Sequence, residues 1–242
     1  MADKYLAEDD LDLLYNTTKR IPICLCIDTS GSMSIKIEVG GERVKKIDKV
    51  IQGLKEFFTS LKEDNFLMDA AEVCILGYSN EPYLVRPFKT IDEGADEDVA
   101  LTPKGKGDMG KAVFEALRLL EERKEQYKNA GRDYYQPCLV IISDGHSTGD
   151  QGHEKTLKEA QTKALQMEKD KKLTTVGVFM GESWDEDQKA QKQLNGFAEK
   201  NPPRPVGCAE LPKYFRFLSR SIAISVQSGG SYIFDFNDWE NF

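Results

Sequence analysis

Two hydrophobic periods alternate along this chain, and that alternation limits its fold more than any single motif. Short apolar runs at Ile21–Ile27, Glu72–Tyr78, Cys138–Ser143 and Leu173–Met180 are rich in β-branched residues. Between them, apolar residues recur in steps of three and four. The first such stripe is Ile47, Val50, Ile51, Leu54, Phe57, Phe58 and Leu61, and the second is Met109, Ala112, Val113, Ala116, Leu117 and Leu120. Further stripes cross residues 154–171, 185–200 and 211–227. The runs read as strands buried on both faces and the stripes as helices with one apolar face. Strands that alternate with helices need crossover connections. The pattern therefore predicts an α/β domain: a doubly wound, mostly parallel six-stranded sheet with helices on both faces. Tyr83–Phe88 follows Tyr78 after only the turn residues Ser79 to Pro82, so it predicts one antiparallel edge strand. Residues 205–208 offer a short sixth strand, and Asn201 to Pro205 must stop the helix before it.

One domain over residues 18–228 accounts for most of the 242 residues, with a segment 1–17 before it and an aromatic, acidic tail 229–242 after it. The tail carries Tyr232, Phe234, Phe236, Trp239 and Phe242, more aromatics than disordered segments usually hold, and is expected to be ordered against folded protein. The net charge of −8 argues against nonspecific nucleic-acid binding, which requires basic surface. No apolar run is long enough to span a membrane, and the N-terminal residues lack a signal-peptide layout. A cytoplasmic protein is expected. The five cysteines fit this, because Cys24, Cys26, Cys74 and Cys138 fall inside apolar runs and read as buried, reduced thiols.

Sites in open α/β sheets lie beyond the carboxyl ends of the strands. Two strand ends here are rich in oxygen: Asp28-Thr29-Ser30-Gly31-Ser32 and Ser143-Asp144-Gly145. Alone, Asp28 and Ser30 would read as turn or cap residues. Paired with a second carboxylate from another strand end, they form a set of hard oxygen ligands suited to Mg²⁺, with Mn²⁺ or Ca²⁺ as alternatives, rather than to zinc.

Asp28 to Met33 (DTSGSM) resembles the first loop of the von Willebrand factor A (vWA) domain, and Ile141 to Gly145 (IISDG) resembles its later Asp loop. The order of elements over residues 18–228 is also similar. Within that family the chain looks most like stand-alone bacterial proteins of the tellurite-resistance TerY type. The resemblance implies a metal-ion-dependent adhesion site. Ser30 and Ser32 would bind the ion directly, and Asp28 and Asp144 directly or through water. An open position would accept an acidic group of a partner protein, without catalysis. It also implies partners encoded in stress or signalling operons, a kinase and a phosphatase among them.

One departure stands out. The family places a Thr a few residues before the glycine that enters the second long helix. Aligned on Gly110, that position is Gly107. The site then lacks one ligand, or water fills the gap, or Asp108 substitutes, although Asp108 also reads as a helix N-cap.

Around this site, Met33, His146 and Trp184 are candidates for partner contact. Residues 35–44 read as an inserted hairpin turning at Gly40-Gly41. The alternative function is a metal-free vWA scaffold in a larger assembly. Enzyme readings are more distant. A phosphatase with a DxDx[TV] motif would need a carboxylate at position 30, which is Ser, and no GxSxG surrounds Ser30 or Ser32. Gly105, Gly107 and Gly110 match GxGxxG, but without the preceding strand that a dinucleotide site requires.

Overall fold

The computed structural model describes residues 17–91 and 99–227. The segment 1–17 apart from Thr17, the tail 229–242 and the expectation attached to that tail lie outside the described residues.

Six strands form the main sheet: β1 (Ile21–Asp28), β4 (Ala71–Tyr78), β5 (Pro82–Thr90), β6 (Cys138–Ser143), β7 (Thr174–Phe179) and β8 (Arg204–Pro205), in the spatial order β5-β4-β1-β6-β7-β8. All neighbours run parallel except β4 and β5. Strand β1 is buried along its whole length, and its alternation sorts side chains onto two faces. Ile21, Ile23, Leu25 and Ile27 join one apolar cluster, whereas Cys24 and Cys26 join the other.

The first cluster is closed by α1 (Lys46–Glu63) and α6 (Leu211–Gln227). The second is closed by α3 (Met109–Asn129), α4 (His153–Lys169) and α5 (Gln188–Asn195). Two faces of apolar surface removed from water are the main driving force for this architecture. The chain crosses from β1 to β4 on one side and later from β4/β5 to β6 on the other side of β1. The order thus reverses beside the carboxyl end of β1, where such sheets open a crevice.

The inserted hairpin is present as β2 (Lys36–Val39) and β3 (Glu42–Lys45), a separate two-stranded sheet. Gly40 and Gly41 have φ of 61° and 85°. Both central residues of the turn therefore need positive φ, which glycine supplies without steric cost. The hairpin runs straight into α1.

One element is added to the expected set and two local readings need correction. A six-residue helix, α2 (Asn65–Ala70), precedes β4, and the Asp64 carboxylate caps it by accepting from the Phe66 and Leu67 N–H groups. The helix expected over 185–200 spans only Gln188–Asn195. It ends at Gly196, well before the prolines, where the Gln161 amide from α4 donates to the Gln193 carbonyl at 2.7 Å. The last strand is Arg204–Pro205, paired with Val178 and Phe179, rather than 205–208.

All five cysteines are free and buried. Burial pushes the Cys138 thiol up to about 12, and Cys24, on β1 opposite Cys74 of β4, is raised by its contact with Cys74 and by burial. Below the sheet, Glu72 is completely buried among Arg20 (Nε at 3.3 Å), Arg123 (Nε at 2.7 Å) and the Tyr127 hydroxyl at 2.6 Å.

Candidate functional site

Strand β1 ends at Asp28, and a 3₁₀ turn at Gly31–Ser34 follows immediately. This geometry folds the loop back on itself. The Ser30 N–H donates to Asp28 Oδ1 at 2.7 Å, and the Ser143 hydroxyl at the end of β6 donates to Asp28 Oδ2 at 2.7 Å. Asp28 is only 4% exposed. Burial pushes its carboxyl up to about 6, the hydrogen bonds from Ser30 pull it down, and the charge of Asp144 adds to the rise. The first strand end thus holds a carboxylate that lacks a full counter-charge.

The remaining oxygens form a chain. Ser32 Oγ donates to Asp144 Oδ1 at 2.7 Å, and Ser30 Oγ lies 3.0 Å from Ser32 Oγ. Either hydroxyl can be the donor in that second contact. Asp28, Ser30, Ser32, Asp144, His146 and Thr148 all line one hollow over the crevice. Four of the predicted ligand residues are therefore brought together.

The spacing fits a small divalent ion. Ligands about 2.1 Å from a six-coordinate Mg²⁺ stand roughly 3.0 Å from their neighbours, close to the Ser30–Ser32 separation. The donor set contains two carboxylates and two hydroxyls. Among the described residues, no group of three or more His, Cys, Asp or Glu is placed to hold a metal. The donors thus belong to the hard-oxygen class.

Asp108 does not join them. It is 1% exposed, caps α3 by accepting from the Lys111 N–H at 3.1 Å, and is absent from the hollow's lining. The cap reading of Asp108 replaces the ligand reading. Gly107, by contrast, abuts the site. A Cβ there would lie 3.4 Å from Asp28 Oδ2 and 3.5 Å from the Ser30 Cβ. Thr148 sits across from it, with its hydroxyl accepting from the Gly107 N–H at 3.2 Å.

The three partner-contact candidates have different fates. Met33 is fully buried in the core beneath the loop, so it offers no surface to a partner, and that expectation is corrected. His146 lines the hollow, and its Nδ1 and backbone N–H both meet Asp187 Oδ2, at 2.7 and 3.0 Å. Burial pushes the Asp187 carboxyl up, but the bonds from His146 and the Ala190 N–H outweigh this and hold it below the usual range. Trp184 is half-buried and stacks on Phe179 at 5.0 Å between ring centroids, packing against the second core cluster.

Thr148, Asp187 and Lys46 were not read as site residues from the sequence. The Lys46 ammonium lies 2.9 Å from Asp144 Oδ2, and the two side chains are 18% and 2% exposed.

A family model of the von Willebrand factor type A domain matches residues 23–146, just over half of the 242 residues. The match runs from β1 to the loop carrying Asp144 and His146, and so includes every ligand candidate. The chain belongs to the vWA family.

No curated protein matches this vWA chain. Solved structures do. The PilB minor pilin from Streptococcus sanguinis superposes with a TM-score of 0.61 at 12% identity, over 85% of this chain and 61% of the pilin. A von Willebrand factor type A protein from Catenulispora acidiphila gives 0.57 at 16% identity, over 84% of this chain and 42% of that one. This chain thus spans less than two thirds of either. The vWF domain of the type V pili tip protein Mfa5 from Porphyromonas gingivalis gives 0.60 at 14% identity, over 87% and 97%. At such identities the likeness is one of fold. Among the described residues, no helix of the vWA domain is long and apolar enough to cross a membrane.

Proposed function

We propose that this chain is a protein-binding vWA module. On this reading Asp28, Ser30, Ser32 and Asp144 hold a divalent cation, Mg²⁺ before Mn²⁺ or Ca²⁺, and engage an acidic group of a partner protein. The observation that carries it is the contiguous set of Ser30 Oγ, Ser32 Oγ and Asp144 Oδ1, spaced 3.0 and 2.7 Å over the crevice, with buried Asp28 behind it. A cation held there supplies a Lewis-acidic position that a partner's carboxylate can fill. The protein's own residues do the rest. Ser143 and the Ser30 N–H fix the Asp28 carboxylate, and the β1 and β6 strand ends hold the two loops at constant separation. Thr148 supplies a further hydroxyl at the rim.

The hydrogen bonding supports a binding site over a nucleophilic one. A serine hydrolase needs a base on its hydroxyl. Here Ser30 and Ser32 bond to each other and to Asp144, while His146 is held by Asp187. That two of the similar structures are a minor pilin and a pilus tip domain supports a role in protein contact. A place in a bacterial stress or signalling complex, with a kinase or phosphatase as partner, rests on the TerY resemblance alone.

Thermal melts in EDTA and in millimolar Mg²⁺, Mn²⁺ and Ca²⁺ test the cation. At a hundredfold excess over Kd, binding stabilises the native state by about 2.7 kcal/mol, roughly 5–10 °C for a chain of this size. The expected rise is lost in Asp28→Asn. A tagged pull-down with and without EDTA then tests the partner. Identical melting in all four conditions rejects the cation reading and leaves a metal-free scaffold.

A further inference from the structure

One positive charge touches a candidate ligand beside the hollow, and the cation reading does not use it. Lys46 is the first residue of α1 and follows the inserted hairpin directly. Its backbone is held in place, because its N–H donates to the Ile35 carbonyl at 3.1 Å and closes the base of the hairpin. Its ammonium reaches Asp144 Oδ2 at 2.9 Å, while Asp144 Oδ1 takes the Ser32 hydroxyl at 2.7 Å. Both oxygens of Asp144 are thus engaged by donors of this chain. The pair is shielded: the Asp144 side chain is 2% exposed and that of Lys46 18%, so the contact is far less screened than an open surface pair.

We propose, resting on the cation reading above, that Lys46 is a tethered competitor of the cation. In the cation-free protein its ammonium neutralises Asp144 and keeps the site from carrying two bare carboxylates. A divalent ion on Asp144 faces a like charge a few ångströms away, and this repulsion adds to the lost ion pair. Cation entry is therefore an exchange in which Lys46 leaves Asp144. The hairpin that positions Lys46 sets how readily that happens. Affinity for the cation is held down by a residue lying 98 positions from its partner in sequence.

Mn²⁺ binding followed by electron paramagnetic resonance and by calorimetry, on the full chain, tests this. Lys46→Met is expected to bind Mn²⁺ about tenfold more tightly than wild type, equivalent to about 1.4 kcal/mol. Lys46→Arg keeps the charge and is expected to stay near wild type. A purely structural role for Lys46 predicts the opposite, since a loosened site binds more weakly. Unchanged or weaker binding by a folded Lys46→Met protein overturns the proposal while leaving the cation site intact, provided wild type binds and Asp28→Asn does not. If wild type and Lys46→Met both bind no Mn²⁺, the cation reading itself fails and the exchange with it. Should Lys46→Met not fold, Lys46→Gln, which keeps a polar tip without charge, carries the same expectation.

Discussion

Replacing Asp28 by Asn separates the stability of this protein from its proposed activity, because the two should move in opposite directions. The Asp28 carboxyl is raised from 3.8 to about 6, mainly by burial. At about 1.4 kcal/mol per pKa unit, that difference is worth about 3 kcal/mol. The folded state prefers the neutral acid, so between pH 4 and 6 it retains a proton that the unfolded chain has released. Stability must fall as pH rises through this window. Below it the group is neutral in both states, and above it the full penalty applies.

Asn is neutral throughout and nearly the same shape. Its amide oxygen can still accept from the Ser30 N–H, and its NH₂ can donate to Ser143 Oγ, whose own hydrogen has the Gly145 carbonyl 2.8 Å away. In EDTA at pH 8, Asp28→Asn is expected to be more stable than wild type by up to about 3 kcal/mol, roughly 6–12 °C in Tm. The gap should shrink to near zero at pH 4. Added Mg²⁺ should raise wild type and leave the variant unmoved. Urea titrations at pH 4, 6 and 8, with and without Mg²⁺, give all these quantities. A variant that is less stable than wild type at pH 8 in EDTA, or a gap that does not depend on pH, refutes the reasoning.

Gly107→Thr is expected to fold, since an added Cβ meets only ordinary contacts at 3.4 Å and beyond. It should also tighten Mn²⁺ binding in calorimetry by placing a hydroxyl beside Asp28. Glu72→Gln should cost about 3–5 kcal/mol in urea unfolding, because it removes the buried negative charge that Arg20 and Arg123 both contact. Cys24, Cys26, Cys74 and Cys138 are 0% exposed, so a thiol reagent such as DTNB should leave them untouched in native protein and titrate them in denaturant.

What the sequence revealed and what it concealed divide by the range of the interactions. Strand β1 was legible because each of its residues is buried, and the hairpin because Gly40-Gly41 is a local turn signal. The loop of Asp28, Ser30 and Ser32 is legible because its three oxygen-bearing side chains sit within five residues, and the SDG loop because it ends an apolar run. Met33 departs from its expected place, since proximity in sequence to the loop says nothing of direction: the 3₁₀ turn points its side chain into the core. The short α2 is not legible in the sequence because a six-residue helix has too few turns for a periodic stripe. The end of α5 is set by Gln161 of α4, a tertiary contact. Lys46 could not have been found by spacing, since a lysine after a hairpin is ordinarily a solvated one. Only the closure of β1 against β6 brings it to Asp144.

The two margins of the main sheet bear on how this protein behaves when crowded. A bare strand margin is a template on which another chain can add and aggregates can grow. Along the described residues, neither margin invites that. Strand β5 contains Pro82 and Pro87, which have no N–H to donate, and the Arg86 guanidinium turns back to the Val73, Lys89 and Thr90 carbonyls. Strand β8 is two residues long, one of them Pro205, and Pro202 and Pro203 come just before it. The main sheet, along its described residues, therefore gives copies of the chain little to grip side by side. If the chain binds a partner as proposed, recognition falls to the loop end of the sheet, where the choice can be made by charge and geometry.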